Sequence, residues 1–141
     1  MSYLPWTVLA LVAYSLVAPL VGYATTGDAR VPSFVAAFYT NSILVVATVA
    51  VVVYENQNVL TYATHPKSPY LYAAGICLAV GILAYYHALS LGPVSVVVPV
   101  FAMFLVTSSL ISIAFMNESL TARKLAGIGF AVLAVVLVSG E

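Results

Sequence analysis

Charge is almost absent from this sequence. Only 6% of its 141 residues are Asp, Glu, Lys or Arg, four acidic and four basic, and the formal net charge at pH 7 is zero. A soluble domain needs roughly a quarter of its residues charged to cover its surface. With so few, a water-soluble fold would expose one continuous apolar face, which excludes it. Zero net charge also removes the basic patch that a nucleic-acid partner requires. Cysteine is nearly as scarce. Cys77 is the only one, so no internal disulfide and no Cys-ligated metal cluster can form. There is no HExxH, no GxSxG, no Walker loop and no pair of intramembrane Asp residues, so neither an enzyme nor a cofactor or metal is expected. No Asp or Glu lies deep in an apolar run, so a carboxylate proton relay is unsupported.

What is present is apolar: 64% of the residues are hydrophobic. A transmembrane helix needs about 20 mainly apolar residues. Gly, Pro and the rare charges divide the chain into five such runs, 4–22, 32–54, 70–91, 94–116 and 122–138. The expected fold class is all-α, a polytopic transmembrane bundle of five helices forming a single domain over 1–141. Residues 1–6 carry no Lys or Arg, and the first run is long enough to span, so it reads as a helix rather than a cleaved signal. Residues 25–30 form the first loop, and Pro32 suits the first turn of the second helix. Residues 55–69 are the longest polar stretch and read as an interfacial loop with room for a short surface helix. Gly92-Pro93 is a tight break, and Asn117-Glu118-Ser119-Leu120-Thr121 a hairpin in which Thr121 can cap the last helix. Tyr3, Trp6, Tyr23, Tyr54, Tyr70 and Tyr72 stand near span ends as an interfacial belt.

Orientation follows Lys and Arg in short loops. Lys67, Arg123 and Lys124 share the side of the N-terminus, and only Arg30 lies opposite. The expectation is a multi-pass protein of the cell membrane, N-terminus in the cytoplasm and C-terminus outside. The bias is small enough for insertion in both orientations.

Several constellations each admit two readings. Ala74, Cys77, Gly81, Ala84 and Ala88 form a small-residue seam on the third span, suited to tight helix packing or to a sliding surface. His87 follows Tyr85 and Tyr86 near the end of that span, as an interfacial anchor or as a proton or ligand group. Ser95 and Ser108 accompany Pro99 on the fourth span, as interhelical glue or as the wall of a cavity. Tyr14 and Ser15 near Pro19, and Tyr39, Thr40 and Asn41 on the second span, carry the same two readings. Asn41 stands out because a side-chain amide is hard to leave unpaired in lipid. Glu118, close to Arg123 and Lys124, reads as a solvated loop charge.

The stretch Tyr85-Tyr86-His87-Ala88-Leu89-Ser90-Leu91-Gly92-Pro93, a helix with Pro99, then Glu118, Leu120-Thr121 and Gly127, resembles the EamA family of the drug/metabolite transporter superfamily. Five spans match one family repeat. The N-terminal half departs from the pattern: Tyr14-Ser15 replaces a common Trp-Gly, Tyr39 replaces an Arg, and Leu105 replaces a second Pro. The Glu of the first helix in small multidrug resistance proteins is missing, so their proton-coupled mechanism is not carried over. Most relatives hold two repeats in one chain, the second inverted because five is odd, with a solute site near the midplane. The resemblance therefore implies a transporter of small metabolites or drug-like solutes by alternating access, here assembled as a homodimer, antiparallel if both orientations insert. Tyr14, Ser15, Tyr39, Asn41, Tyr85, His87, Ser95 and Ser108 are the candidate cavity residues. The alternative is a non-transporting subunit or scaffold of a heteromeric transporter or flippase. The partners implied are a small-molecule solute, the lipid bilayer and a second copy of the chain.

Overall fold

Six helices and no strand form among the described residues, 3–115 and 121–139, of the computed structural model. They are α1 (Leu4–Thr25), α2 (Ser33–Tyr54), α3 (Val59–Ala63), α4 (Ser68–Leu91), α5 (Val94–Phe115) and α6 (Ala122–Ser139). At 1.5 Å per residue the shortest of α1, α2, α4 and α5 is about 33 Å long, a full hydrocarbon thickness. These four are long and apolar enough to cross a membrane. The fifth expected span folds as α6, which at 18 residues lies outside that set. The sixth helix is the short surface helix for which the 55–69 loop had room. Glu118, the rest of the expected hairpin before Thr121, and the end of the fourth span at Met116 lie outside the described residues.

Element ends differ from the sequence expectation for local reasons. The first helix runs on to Thr25, because the Thr25 and Thr26 hydroxyls donate to the carbonyls of Val21 and Gly22, each at 2.8 Å. These bonds satisfy last-turn acceptors that would otherwise need water. Gly27 then turns the chain at φ 83, a conformation in which an L side chain is strained, and the Val31 N–H closes the loop on the Ala24 carbonyl at 2.8 Å. Pro32 sits at the N-cap of α2 rather than in its first turn. Its ψ of 137 is extended, and its carbonyl accepts from the N–H groups of Val35 and Ala36. At the other end of α2, the Asn56 N–H bonds the Val53 carbonyl and the Gln57 N–H the Val52 carbonyl, with Asn56 at φ 53. That pairing is a Schellman cap, in which Asn takes the left-handed position that glycine more often fills. Thr121 caps α6 as expected: its hydroxyl oxygen accepts the Lys124 N–H at 3.3 Å.

The chain divides into two units, residues 1–91 and 92–141. In the first, α4 packs on both α1 and α2. The stripes doing so read at helical spacing: Ala18, Val21, Gly22 and Thr25 on α1, Ser33, Ala36 and Ala37 on α2, Tyr86 and Leu89 on α4. All lie toward the end that carries the α1–α2 loop, because an antiparallel neighbour places the start of α2 at the depth of the end of α4. Leu89 is fully buried, at 0% exposure. Small residues on α1 and α2 let the backbones approach, which in lipid is the main source of attraction between helices. Toward the other end Ser68, at the start of α4, is the one buried residue of these three helices among the described residues. In the second unit α5 and α6 pack on one another, and α5 continues through Pro99 as α1 does through Pro19.

Candidate functional site

Two antiparallel helix ends create one polar meeting point in the first unit. Ser33, in the first turn of α2, is buried, and its Oγ lies 3.5 Å from His87 Nδ1 in the penultimate turn of α4. That distance is the outer limit of a hydrogen bond. Beside it, Phe34 stacks on the His87 ring, with centroids 5.6 Å apart and planes 18° from parallel. His87 is itself exposed on its outer side. Within the same turn of α4, Tyr85 is half-buried and Tyr86 buried, their rings 6.2 Å apart. The result is an imidazole held from α2 by a hydroxyl and an aromatic face.

Asn41 extends the α2 contact stripe, four residues beyond buried Ala37. It is half-buried, and its Nδ2 donates to the Ala37 carbonyl at 2.7 Å. The backbone thus takes one of the amide's two N–H donors, which answers part of the cost of an amide in lipid. Tyr39 points away from that stripe, 64% exposed and edge-on to Phe38. Tyr14 is 73% exposed on α1. The Ser15 hydroxyl donates to the Val12 carbonyl at 2.8 Å, and that of Ser108 on α5 to the Phe104 carbonyl at 2.7 Å. Ser95 lies exposed in the first turn of α5. Of the expected cavity residues, the structure sets His87 against the start of α2 and carries Asn41 along the α2 contact stripe. Tyr85, two residues before His87, leaves α4 on another face, and Tyr14, Ser15 and Tyr39 are exposed.

Prolines add a feature at two of these positions. Pro19 and Pro99 have no N–H to give to the carbonyl four residues back, which belongs to Ser15 in α1 and to Ser95 in α5. Each serine thus marks a backbone acceptor released from the helix ladder.

Sequence reading missed Ser33 and Phe34. The signal was present: they open the second span, and neighbouring antiparallel spans set that opening level with His87. The small-residue seam of α4 has the opposite outcome. Ala74, Cys77, Gly81 and Ala84 are exposed, and a methyl group built on Gly81 would touch nothing within 4 Å. Ala88, the last member of the seam, is half-buried, so among the described residues of the first unit only that end of the seam is used for packing. In the second unit a groove of about 320 Å³ runs between Leu105, Ser109 and Ile113 of α5 and Gly127, Ile128 and Ala131 of α6. It contains both Leu105, where the family pattern has proline, and the retained Gly127.

The EamA-like transporter family matches residues 1–140. The chain belongs to the EamA-like transporter family. It is a multi-pass membrane protein of transporter type. No curated protein and no solved structure matches it.

Proposed function

We propose that this EamA-family chain carries a small, hydrogen-bonding metabolite or drug-like solute across the cell membrane by alternating access, as a dimer of five-helix units. The observation that carries the reading is the asymmetry of the first unit. Apart from Ser68, the buried residues of its three long helices lie at the end bearing the α1–α2 loop, with the His87–Ser33–Phe34 cluster among them. Such a set suits one arm of a pair in which one repeat rocks against the other. The bare lateral faces, including the α4 seam, leave a second copy surface to cover. Two copies in opposite orientations would reproduce the inverted pair of repeats expected from the family resemblance.

Solute contacts are assigned to His87, Tyr85 and Asn41, with Tyr14, Ser15 and Tyr39 as further groups of the first unit and Ser95 and Ser108 as hydroxyls on α5. Imidazole, amide, phenol, hydroxyl and proline-released carbonyl recognise a solute through hydrogen bonds and aromatic faces rather than through a countercharge. The N-terminus is placed in the cytoplasm and the C-terminus outside in the major orientation, from Lys67, Arg123 and Lys124 against Arg30.

A second reading, a non-transporting subunit of a heteromeric transporter or flippase, is favoured by one observation. Ser15, Asn41 and Ser108 already bond carbonyls of their own helices, so each is accounted for without a solute. Purified chain in liposomes separates the two. Solute flux that rises with protein, screened over a metabolite set, supports the transporter. No flux from folded protein, with flux restored by a co-purifying membrane partner, replaces it with the subunit reading.

A further inference from the structure

The segment between α2 and α4 is strapped to the start of α4. The Ser68 hydroxyl donates to the Tyr62 carbonyl at 2.5 Å, and the Tyr72 hydroxyl to the Ala63 carbonyl at 2.7 Å. The intervening turn is fixed as well: the Ser68 N–H bonds the His65 carbonyl at 2.8 Å, and the Lys67 N–H bonds His65 Nδ1 at 3.2 Å. Tyr72 stands four residues into a membrane-crossing helix, about 6 Å along its axis. Its bond therefore holds the C-terminal end of α3 at the depth of the first turn of α4. Tyr54, Tyr70 and Tyr72 occupy that level as exposed belt residues. At this depth α3 presents Val59 at 60%, Leu60 at 84% and Tyr62 at 61% exposure. Isolated exposed apolar residues are ordinary on a protein in water. Three within one short helix, tied by two side-chain bonds to the interfacial turn of a span, are placed where acyl chains meet headgroups.

We propose that α3 is an interfacial anchor whose partner is the bilayer itself, with Leu60 and Tyr62 inserted at the boundary between headgroups and acyl chains. Lys67, beyond the turn, stands at the level of the lipid phosphates. Burial of apolar side chains drives such insertion. Because both strap bonds lie on α4, the anchor fixes the depth of α4 on this face.

Fluorescence depth quenching tests this. The only tryptophan, Trp6, is removed as Trp6→Phe, and Leu60→Trp reports on α3 in vesicles of phosphatidylcholine and phosphatidylglycerol. Leu78→Trp, exposed on α4 ten residues after Ser68 and thus about 15 Å deeper, is the reference. The expected result is blue-shifted emission from Leu60→Trp, quenched more by lipids brominated near the headgroup than by those brominated deep in the chain. Leu78→Trp should show the reverse order, and dilution of protein in lipid should change neither. Water-like emission that no brominated lipid quenches would place α3 in solvent and overturn the proposal. A blue shift that fades on dilution would assign the surface to a second copy and overturn it equally. Should Leu60→Trp not fold, Tyr62→Trp carries the same readout.

Discussion

Ser33 Oγ lies 3.5 Å from His87 Nδ1, joining the first turn of α2 to the penultimate turn of α4. A neutral bond of that length contributes little by itself, and the parallel stack of Phe34 on the same ring adds about 0.5–1.5 kcal/mol. Together they fix the imidazole while its outer edge stays open. In a membrane span an ionisable ring so held is a functional-site hypothesis by default.

His87→Ala should abolish uptake while leaving the amount of folded protein unchanged. Ser33→Ala should lower uptake by less than about tenfold, since one long hydrogen bond is worth roughly 1 kcal/mol or less. Full uptake by His87→Ala in a reconstituted assay would return this residue to the role of an interfacial anchor.

Asn41→Ala should also remove transport without loss of folded protein. The helix uses one N–H of the amide, on the Ala37 carbonyl, and the proposed solute uses the remaining polarity. Unchanged uptake rates would show that the amide serves its own helix and nothing more.

Leu89→Ala should destabilise the first unit by about 2 kcal/mol, the low end for a buried leucine. In lipid the transfer part of that cost is lost, because acyl chains are as apolar as leucine, and the missing packing remains. Thermal unfolding in detergent reads this directly. A change no larger than that of exposed Leu78→Ala would mean that the packed end is not where the unit is held.

Asn56→Gly should be neutral or slightly stabilising, and Asn56→Val should cost about 1–2 kcal/mol. The residue sits at φ 53 in the cap of α2, where glycine is at ease and a β-branched side chain is not. Equal melting temperatures for the two variants would show that the cap contributes nothing to the fold.

A pair of C-terminal reporters, one active only inside the cell and one only outside, should both give signal if the chain inserts in two orientations. Signal from the outside reporter alone would mean one fixed orientation and would rule out the antiparallel homodimer.

Much of the architecture was legible in the chain. Apolar runs bounded by Gly92-Pro93 and by the polar stretch around Lys67 mark the long helices, because a helix must satisfy its own backbone in lipid and needs about 20 apolar residues to cross it. Thr121 announced its cap, and the family motifs from Ala88-Leu89 to Gly127 announced the family. The candidate site was legible only in part. His87 and Asn41 stood out as polar groups in apolar runs, but Ser33 and Phe34 did not, being an ordinary serine and phenylalanine at a helix start.

What the sequence determined by itself is the solvent and the helices, since hydropathy and backbone satisfaction are local properties summed along the chain. What only the tertiary structure decided is which faces meet. In lipid an apolar side chain gains nothing from being buried rather than bathed, so no amphipathic stripe marks the interior of the bundle. The α4 seam is therefore exposed from Ala74 to Ala84 among the described residues and half-buried only at Ala88, and the contact of the first unit runs through Ala37, Tyr86 and Leu89. Close fit between particular helix ends sets that contact, and periodicity of hydrophobicity carries no record of it.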